Sequence, residues 1–200
     1  MNYFFCIIKK HLVIILLGDK MKKMVIGLMI ILFMFGCDNN LMNTPTKRVE
    51  TLMNNYITLD KEVLDDLDET LLSETVMTQA QKDKYREIIK KQYQNLAYEI
   101  KNETIDGKNA TVDVEIEVYN YKKIIDDANT YLTNNQNEFL NETGAVDAEK
   151  FNEYKLEQLK NAKDKVTYTL NLTLKKQDEK WILDNLSDTE ISKIHGMYNA

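Results

Sequence analysis

Two hundred residues, 44% of them hydrophobic, fit one ordinary domain with a tail and suffice for a packed core. The net charge of −6 is unevenly spread: residues 1–37 hold five Lys and one acid, Asp19, leaving 21 basic and 31 acidic side chains, net −10, on residues 38–200. An acidic body repels phosphate backbones and anionic headgroups, so nucleic acid is disfavoured as a partner and membrane attachment has to come from another device.

Residues 1–20 contain an apolar stretch, His11 to Leu17, closed by Gly18-Asp19-Lys20. It breaks the pattern that follows, and translation is expected to start at Met21, with the codons of Gly18-Asp19 supplying a purine-rich ribosome-binding element. From Met21 the chain reads Met-Lys-Lys, then the apolar run Met24 to Phe35, then Gly36-Cys37-Asp38. A positive start, an apolar middle and a small residue before the cut are the three parts of a secretory signal. The run is 12 residues long, short of the roughly 20 that span a bilayer as a helix.

Met34-Phe35-Gly36-Cys37 resembles the cleavage box of bacterial lipoproteins. It matches at Gly36 and Cys37, while Met34 replaces the usual leucine and Phe35 is bulkier than usual. The resemblance implies a signal peptide over 21–36, cleavage between Gly36 and Cys37, a diacylglyceryl group on the Cys37 thiol and a further acyl chain, of palmitate type, on the new amine. One buried chain holds marginally and two hold well, at about 0.8 kcal/mol per CH₂. The address implied is the extracytoplasmic face of a cell membrane. The plainer reading of Cys37, a small residue buried at a helix end, sits badly with the polar Asp38-Asn39-Asn40 after it. Cys6 is the only other cysteine, so residues 38–200 have no disulfide and no Cys/His zinc set.

Residues 37–43 read as a lipidated tether and residues 44–200 as one domain. Thr44-Pro45 supplies an N-cap and a first-turn proline, and Val49, Leu52, Met53 and Tyr56 predict a helix over 45–59. Val63, Leu64, Leu67, Leu71 and Leu72 continue as a second short helix, and Tyr85, Ile88, Ile89, Gln92 and Tyr93 mark one side of a third over about 78–95. The period then switches to two. Leu96, Tyr98 and Ile100 alternate with polar residues, Asp106-Gly107 turns the chain, and Ala110, Val112, Val114, Ile116 and Val118 alternate with Thr111, Asp113, Glu115 and Glu117, an antiparallel hairpin with one wet face.

Residues 121–163 lose the alternation and read as two helices around a Thr143-Gly144 break, with Asp147 as N-cap and Phe151, Tyr154, Leu159 and Ala162 on the buried side. A second hairpin follows. Val166, Tyr168, Leu170, Leu172 and Leu174 point one way, and Gln177-Asp178-Glu179 turns into Trp181-Ile182-Leu183.

Helices first and strands after make an α+β domain: N-terminal helices packed on a curved antiparallel sheet, with a helical insertion over 121–163 between two hairpins. This order, with the turn-Trp run Lys176 to Leu183, resembles small bacterial lipoproteins of the nuclear transport factor 2-like (cystatin-like) superfamily over about residues 44–189. The resemblance implies a cone formed by a sheet wrapping a helix.

Chemistry is sparse. Asp65-Asp66, Asp68-Glu69 and Asp126-Asp127 are paired acids, but neighbours on a helix point about 100° apart and read as wet faces. Asp113, Glu115 and Glu117 read as a solvated sheet face and His195 as an exposed tail residue without a partner. The Asn-x-Ser/Thr triplets at Asn102, Asn109, Asn141, Asn171 and Asn185 are those expected by chance in an Asn-rich chain. No phosphate loop or metal-ligand spacing occurs, so neither cofactor nor metal is expected. Tyr56, Tyr98, Tyr168 and Trp181 fall on inward faces, where rings fill a core or line a pocket. The expected function is a non-catalytic, lipid-anchored module binding a small molecule or an envelope protein. The alternatives are a structural or interaction protein using residues 121–163, and a small-molecule enzyme needing two convergent carboxylates.

Overall fold

The computed structural model describes residues 43–199. Residues 1–20, the signal segment 21–36, Gly36, Cys37 and the tether up to Met42 lie outside the described residues.

Helix α1 (Pro45–Thr58) starts where predicted: the Thr44 hydroxyl accepts from the Lys47 amide at 3.1 Å, with Pro45 in the first turn. Its stripe buries Val49 and Met53. Helix α2 (Lys61–Ser73) is capped by Asp60 and buries Val63, Leu67 and Leu71. Leu72, expected on the same side, is 81% exposed, because adjacent helical residues diverge and Leu71 takes the inward position. Helix α3 (Gln79–Gln94) opens with a Thr78/Gln81 capping box and buries Ile88, Ile89, Gln92 and Tyr93.

Strands β1 (Ala97–Asp106), β2 (Asn109–Tyr119), β3 (Lys165–Gln177) and β4 (Lys180–Leu183) form one antiparallel sheet in chain order. The two predicted hairpins are therefore a single layer, joined by the β2–β3 ladder running from Asn109 opposite Lys175 to Tyr119 opposite Lys165. That register sets Val112 against Leu172, Val114 against Leu170 and Ile116 against Tyr168, all buried on the helix side. The opposite face pairs Thr111 with Thr173 and Asp113 with Asn171. A bulge at Lys101 shifts the β1 register. The β3–β4 turn has positive φ at Asp178 (46°) and Glu179 (60°), as a two-residue hairpin loop requires. Asn43 clasps this turn from the other end of the domain, its amide donating to the Glu179 carbonyl (2.6 Å) and accepting from the Trp181 amide (3.1 Å).

The insertion between β2 and β3 holds α4 (Tyr121–Asn134), a 3₁₀ turn (Gln136–Phe139) and α5 (Ala148–Lys160), with Asp147 as the α5 cap. It carries a small core of Ala128, Phe139 and Phe151, the two rings 5.4 Å apart and edge to face. Leu156, Leu159 and Ala162 join the main core.

The C-terminus corrects the sequence reading. It is not a polar tail but α6 (Asp188–Ile194), capped reciprocally by Ser187 and Glu190, with Ile194 fully buried. His195 is half-buried and its Nε2 meets the Tyr93 hydroxyl at 2.7 Å. Beside it lies Gln92, 0% exposed, whose amide donates to the carbonyls of Tyr119 and His195 (both 3.0 Å) and accepts from the Tyr119 amide (2.9 Å). Gly196 follows at φ +69°, and a Cβ there would stand 2.0 Å from the Tyr119 carbonyl oxygen. Only glycine fits.

Gly196→Ala is accordingly expected to lower unfolding free energy by about 3 kcal/mol, from αL strain and a backbone clash, as read by urea denaturation. Burial lowers the His195 imidazole from 6.5 to about 4. Because the folded value is the depressed one, this stabilisation is full above pH 6.5 and disappears as pH falls from 6.5 toward 4, the unfolded chain binding the proton first. Denaturation across that window should show up to about 3 kcal/mol of loss, and a smaller slope in His195→Gln; equal slopes would contradict the assignment.

Candidate functional site

On α5, residues 152, 155, 156 and 159 share one face by helical spacing. Leu156 and Leu159 bury there as an amphipathic helix requires, but the two other positions hold Asn152 and Lys155. They meet the C-terminal end of α2, the 74–78 loop, Tyr85 of α3, Ile125 of α4 and Met197 around a cavity of about 500 Å³. That volume suits a small ligand. Its apolar wall includes Leu71, Met77, Leu156 and Leu159, and its polar groups are Asn152, Lys155, Tyr85 and Glu74.

Asn152 is 5% exposed, and its fully buried amide nitrogen has no hydrogen-bond partner among the described residues. A buried donor left unpaired costs about 1–3 kcal/mol; this nitrogen is sealed beneath the wall and does not open on the cavity. Lys155 is half-buried, with Nζ over the Phe151 ring, 4.9 Å from its centroid. Burial pulls the ammonium below the usual lysine range, and the Glu74 charge opposes the shift. Burial, helped by Glu74, pushes the Tyr85 hydroxyl up to about 12, so it stays a neutral donor at physiological pH. One Glu74 oxygen accepts from the Val76 amide at 2.7 Å and shapes the loop.

The residues singled out from the sequence are elsewhere. In the first two acid pairs one member finds a cation, Asp65 bonding Lys61 and Asp68 taking the Arg86 guanidinium in a two-pronged pair, while Asp126 and Asp127 bond Lys122 and Lys123 at 2.6 and 2.7 Å. The Arg86 pairing holds the Asp68 carboxyl below its usual range. Asp113 accepts from Asn171 (2.7 Å), Glu115 pairs with Lys101 (3.0 Å) and Glu117 with Lys165 (2.8 Å), so the outer sheet face is a set of cross-strand pairs. Among the described residues no three His, Cys, Asp or Glu side chains gather as metal ligands, and no helix is long and apolar enough to cross a membrane. Of the four inward aromatics, Tyr168 and Trp181 are buried in the core, while Tyr56 and Tyr98 pack at its edge. None lines the cavity. Asn152 and Lys155 escaped the sequence reading, although two polar residues on the apolar stripe of α5 were the available signal.

A second hollow, between α3 and α5, is about 560 Å³ and floored by Ile88 and Leu156. One ion pair, Lys84 with Glu153, spans the groove. It contains no unsatisfied buried group among the described residues.

No protein-family model and no curated protein sequence matches the chain. A crystal structure of the Bacillus subtilis candidate lipoprotein ycdA is similar at 16% identity and a TM-score of 0.38, over 80% of this chain and 50% of that one. The chain thus spans about half the length of that protein.

Replacing Asn152 by Leu, nearly the same size, removes the unpaired donor. Ligand-free Asn152→Leu is expected to gain about 1–2 kcal/mol in urea denaturation. A loss of stability would mean that the amide serves the fold after all.

Proposed function

We propose that this chain is an exported lipoprotein, held by lipid on Cys37 to the extracytoplasmic face of a membrane, whose domain binds a small ligand in the cavity between α2, α3, α4 and α5 without transforming it. The address rests on the signal pattern Met21 to Cys37. An acidic body needs such an anchor, having no electrostatic affinity for anionic headgroups.

The binding reading is carried by one observation: a ligand-sized cavity whose wall joins the apolar Leu71, Met77, Leu156 and Leu159 to the polar side chains of Glu74, Tyr85 and Lys155. A non-catalytic role is favoured because the cavity's titratable groups, Glu74, Tyr85 and Lys155, include no nucleophile paired with a base. The nuclear transport factor 2-like resemblance is compatible with this role, since the helices cover one face of an open antiparallel sheet.

Two measurements test the two halves. Mass spectrometry of the membrane-extracted protein should find Cys37 as the first residue with added diacylglyceryl and acyl mass, and Cys37→Ser should leave an uncleaved, unlipidated precursor. In a thermal-shift screen of envelope metabolites, a ligand at a hundred times its Kd adds about 2.7 kcal/mol. The gain should vanish in Ser73→Trp, which places an indole at the exposed cavity mouth. A screen with no stabilising compound ends the binding reading.

A further inference from the structure

Five residues separate Cys37 from Asn43, a reach of about 20 Å when fully extended. Asn43 is held in place, since its side chain bonds both the carbonyl of Glu179 and the amide of Trp181 in the β3–β4 hairpin. The Lys176 amide donates to the Lys108 carbonyl at 2.8 Å, so the β1–β2 turn lies beside the β3–β4 turn. The chain leading back to Cys37 therefore leaves the domain at the end of the sheet that carries both turns. The end of α3 and the start of β1 stand at the other end, about 30 Å away along the ten residues of β1.

Charge divides unequally between the two ends. Around the turns, residues 43–48, 103–108 and 175–184 hold six cations and five acids, so the rest of residues 38–200 carries net −11. Three of those five acids are engaged: Glu103 accepts from the Thr46 amide and hydroxyl (2.8 and 2.7 Å), Glu179 bonds Lys176 (2.7 Å) and Asp184 bonds Lys175 (3.1 Å). Arg48, Lys108 and Lys180 are exposed and have no ion-pair partner among the described residues. Two isoleucines flank the turns on opposite faces of the sheet: Ile105, 52% exposed, precedes the first turn, and Ile182, 47% exposed, pairs with Lys175 beside the second. Exposed cations next to exposed aliphatic side chains are what a bilayer interface accepts.

An anionic surface repels the net −10 domain taken whole, but salt confines that interaction to charges within about 10 Å of the surface. The short tether brings only the turn end so close, and repulsion of the acidic remainder keeps that end inward. We propose that the two hairpin turns form a membrane-facing surface, docking on anionic lipid headgroups through Arg48, Lys108 and Lys180 with Ile105 and Ile182 entering the interface. This rests on the lipid anchor proposed above and adds which end of the domain meets the bilayer.

With Cys37 blocked by lipid, residues 38–200 offer no thiol, so Gln177→Cys beside the turn or Gln94→Cys at the far end carries the sole fluorophore of the membrane-extracted lipoprotein. In vesicles of phosphatidylcholine and phosphatidylglycerol, a nitroxide-headgroup lipid is expected to quench the label at 177 at least about threefold more than the label at 94. Lys108→Glu with Lys180→Glu, or Ile105→Ser with Ile182→Ser, should lower that ratio by roughly half, and added salt should lower it as well. All four side chains are exposed, so melting curves should be unaltered. Equal quenching at the two positions, in protein that still floats with the vesicles, would overturn the orientation and leave the anchor. A ratio unchanged by salt and by both double variants would mean that the tether alone orients the domain, and would overturn the docking surface. Protein that fails to float would overturn the anchor and this proposal together.

Discussion

Gln92 lies fully buried where the end of β2, helix α3 and the C-terminal segment converge, and its one amide serves backbone groups of two of them. Both hydrogens and the oxygen are used, so the desolvation of a polar side chain is offset by three bonds. A leucine of similar volume would leave two carbonyls and an amide without partners, and a glutamate would bury charge with no hydrogens to give. Gly196 passes so close to Tyr119 that no side chain fits, and its carbonyl then accepts from the Lys122 amide at 2.8 Å, fixing the start of α4. The insertion is positioned from that point.

The cavity is a consequence of this arrangement. The anchored C-terminal segment brings Met197 to the space under α5, and α5 is oriented partly by the Gln81 amide donating to the Glu149 carbonyl at 2.8 Å. Leu156 and Leu159 draw α5 onto the core beside α3 and α4, which carries Asn152, on the same face, into surroundings that leave its amide nitrogen without a partner among the described residues. The conflict is local: the acids elsewhere on the helices are paired or solvated. A domain that satisfies its charges on the surface and leaves one buried amide unpaired has kept stability in reserve at that place.

Much of the fold was legible in the sequence, for a definite reason. The sheet's inner face repeats every two residues over five positions in β2 and five in β3, and that period reports burial directly. Helix starts were legible where Thr44-Pro45 and Asp147 announce a cap. Leu72 was misplaced because a Leu-Leu pair leaves the phase of the stripe ambiguous by one residue. The C-terminal helix was missed although Ser187 and Glu190 stand in capping-box register; seven residues offer too little periodicity to outweigh their polarity. His195 looks like a tail residue in the sequence because its partner, Tyr93, is 102 positions away.

Taken alone, the sequence determined the order of elements, the one-sided sheet, the strongly acidic body and the signal-like pattern ending at Cys37. These are properties of neighbouring residues, written within a turn, a strand or a short segment. Only the tertiary structure decided that Glu74, Tyr85, Lys155 and Met197 line one cavity, that Asn152 lacks a partner there and that Gln92 gathers the chain's end. Such meetings depend on how helices pack across long separations, and no local period encodes which polar residue will be left inside without a bond.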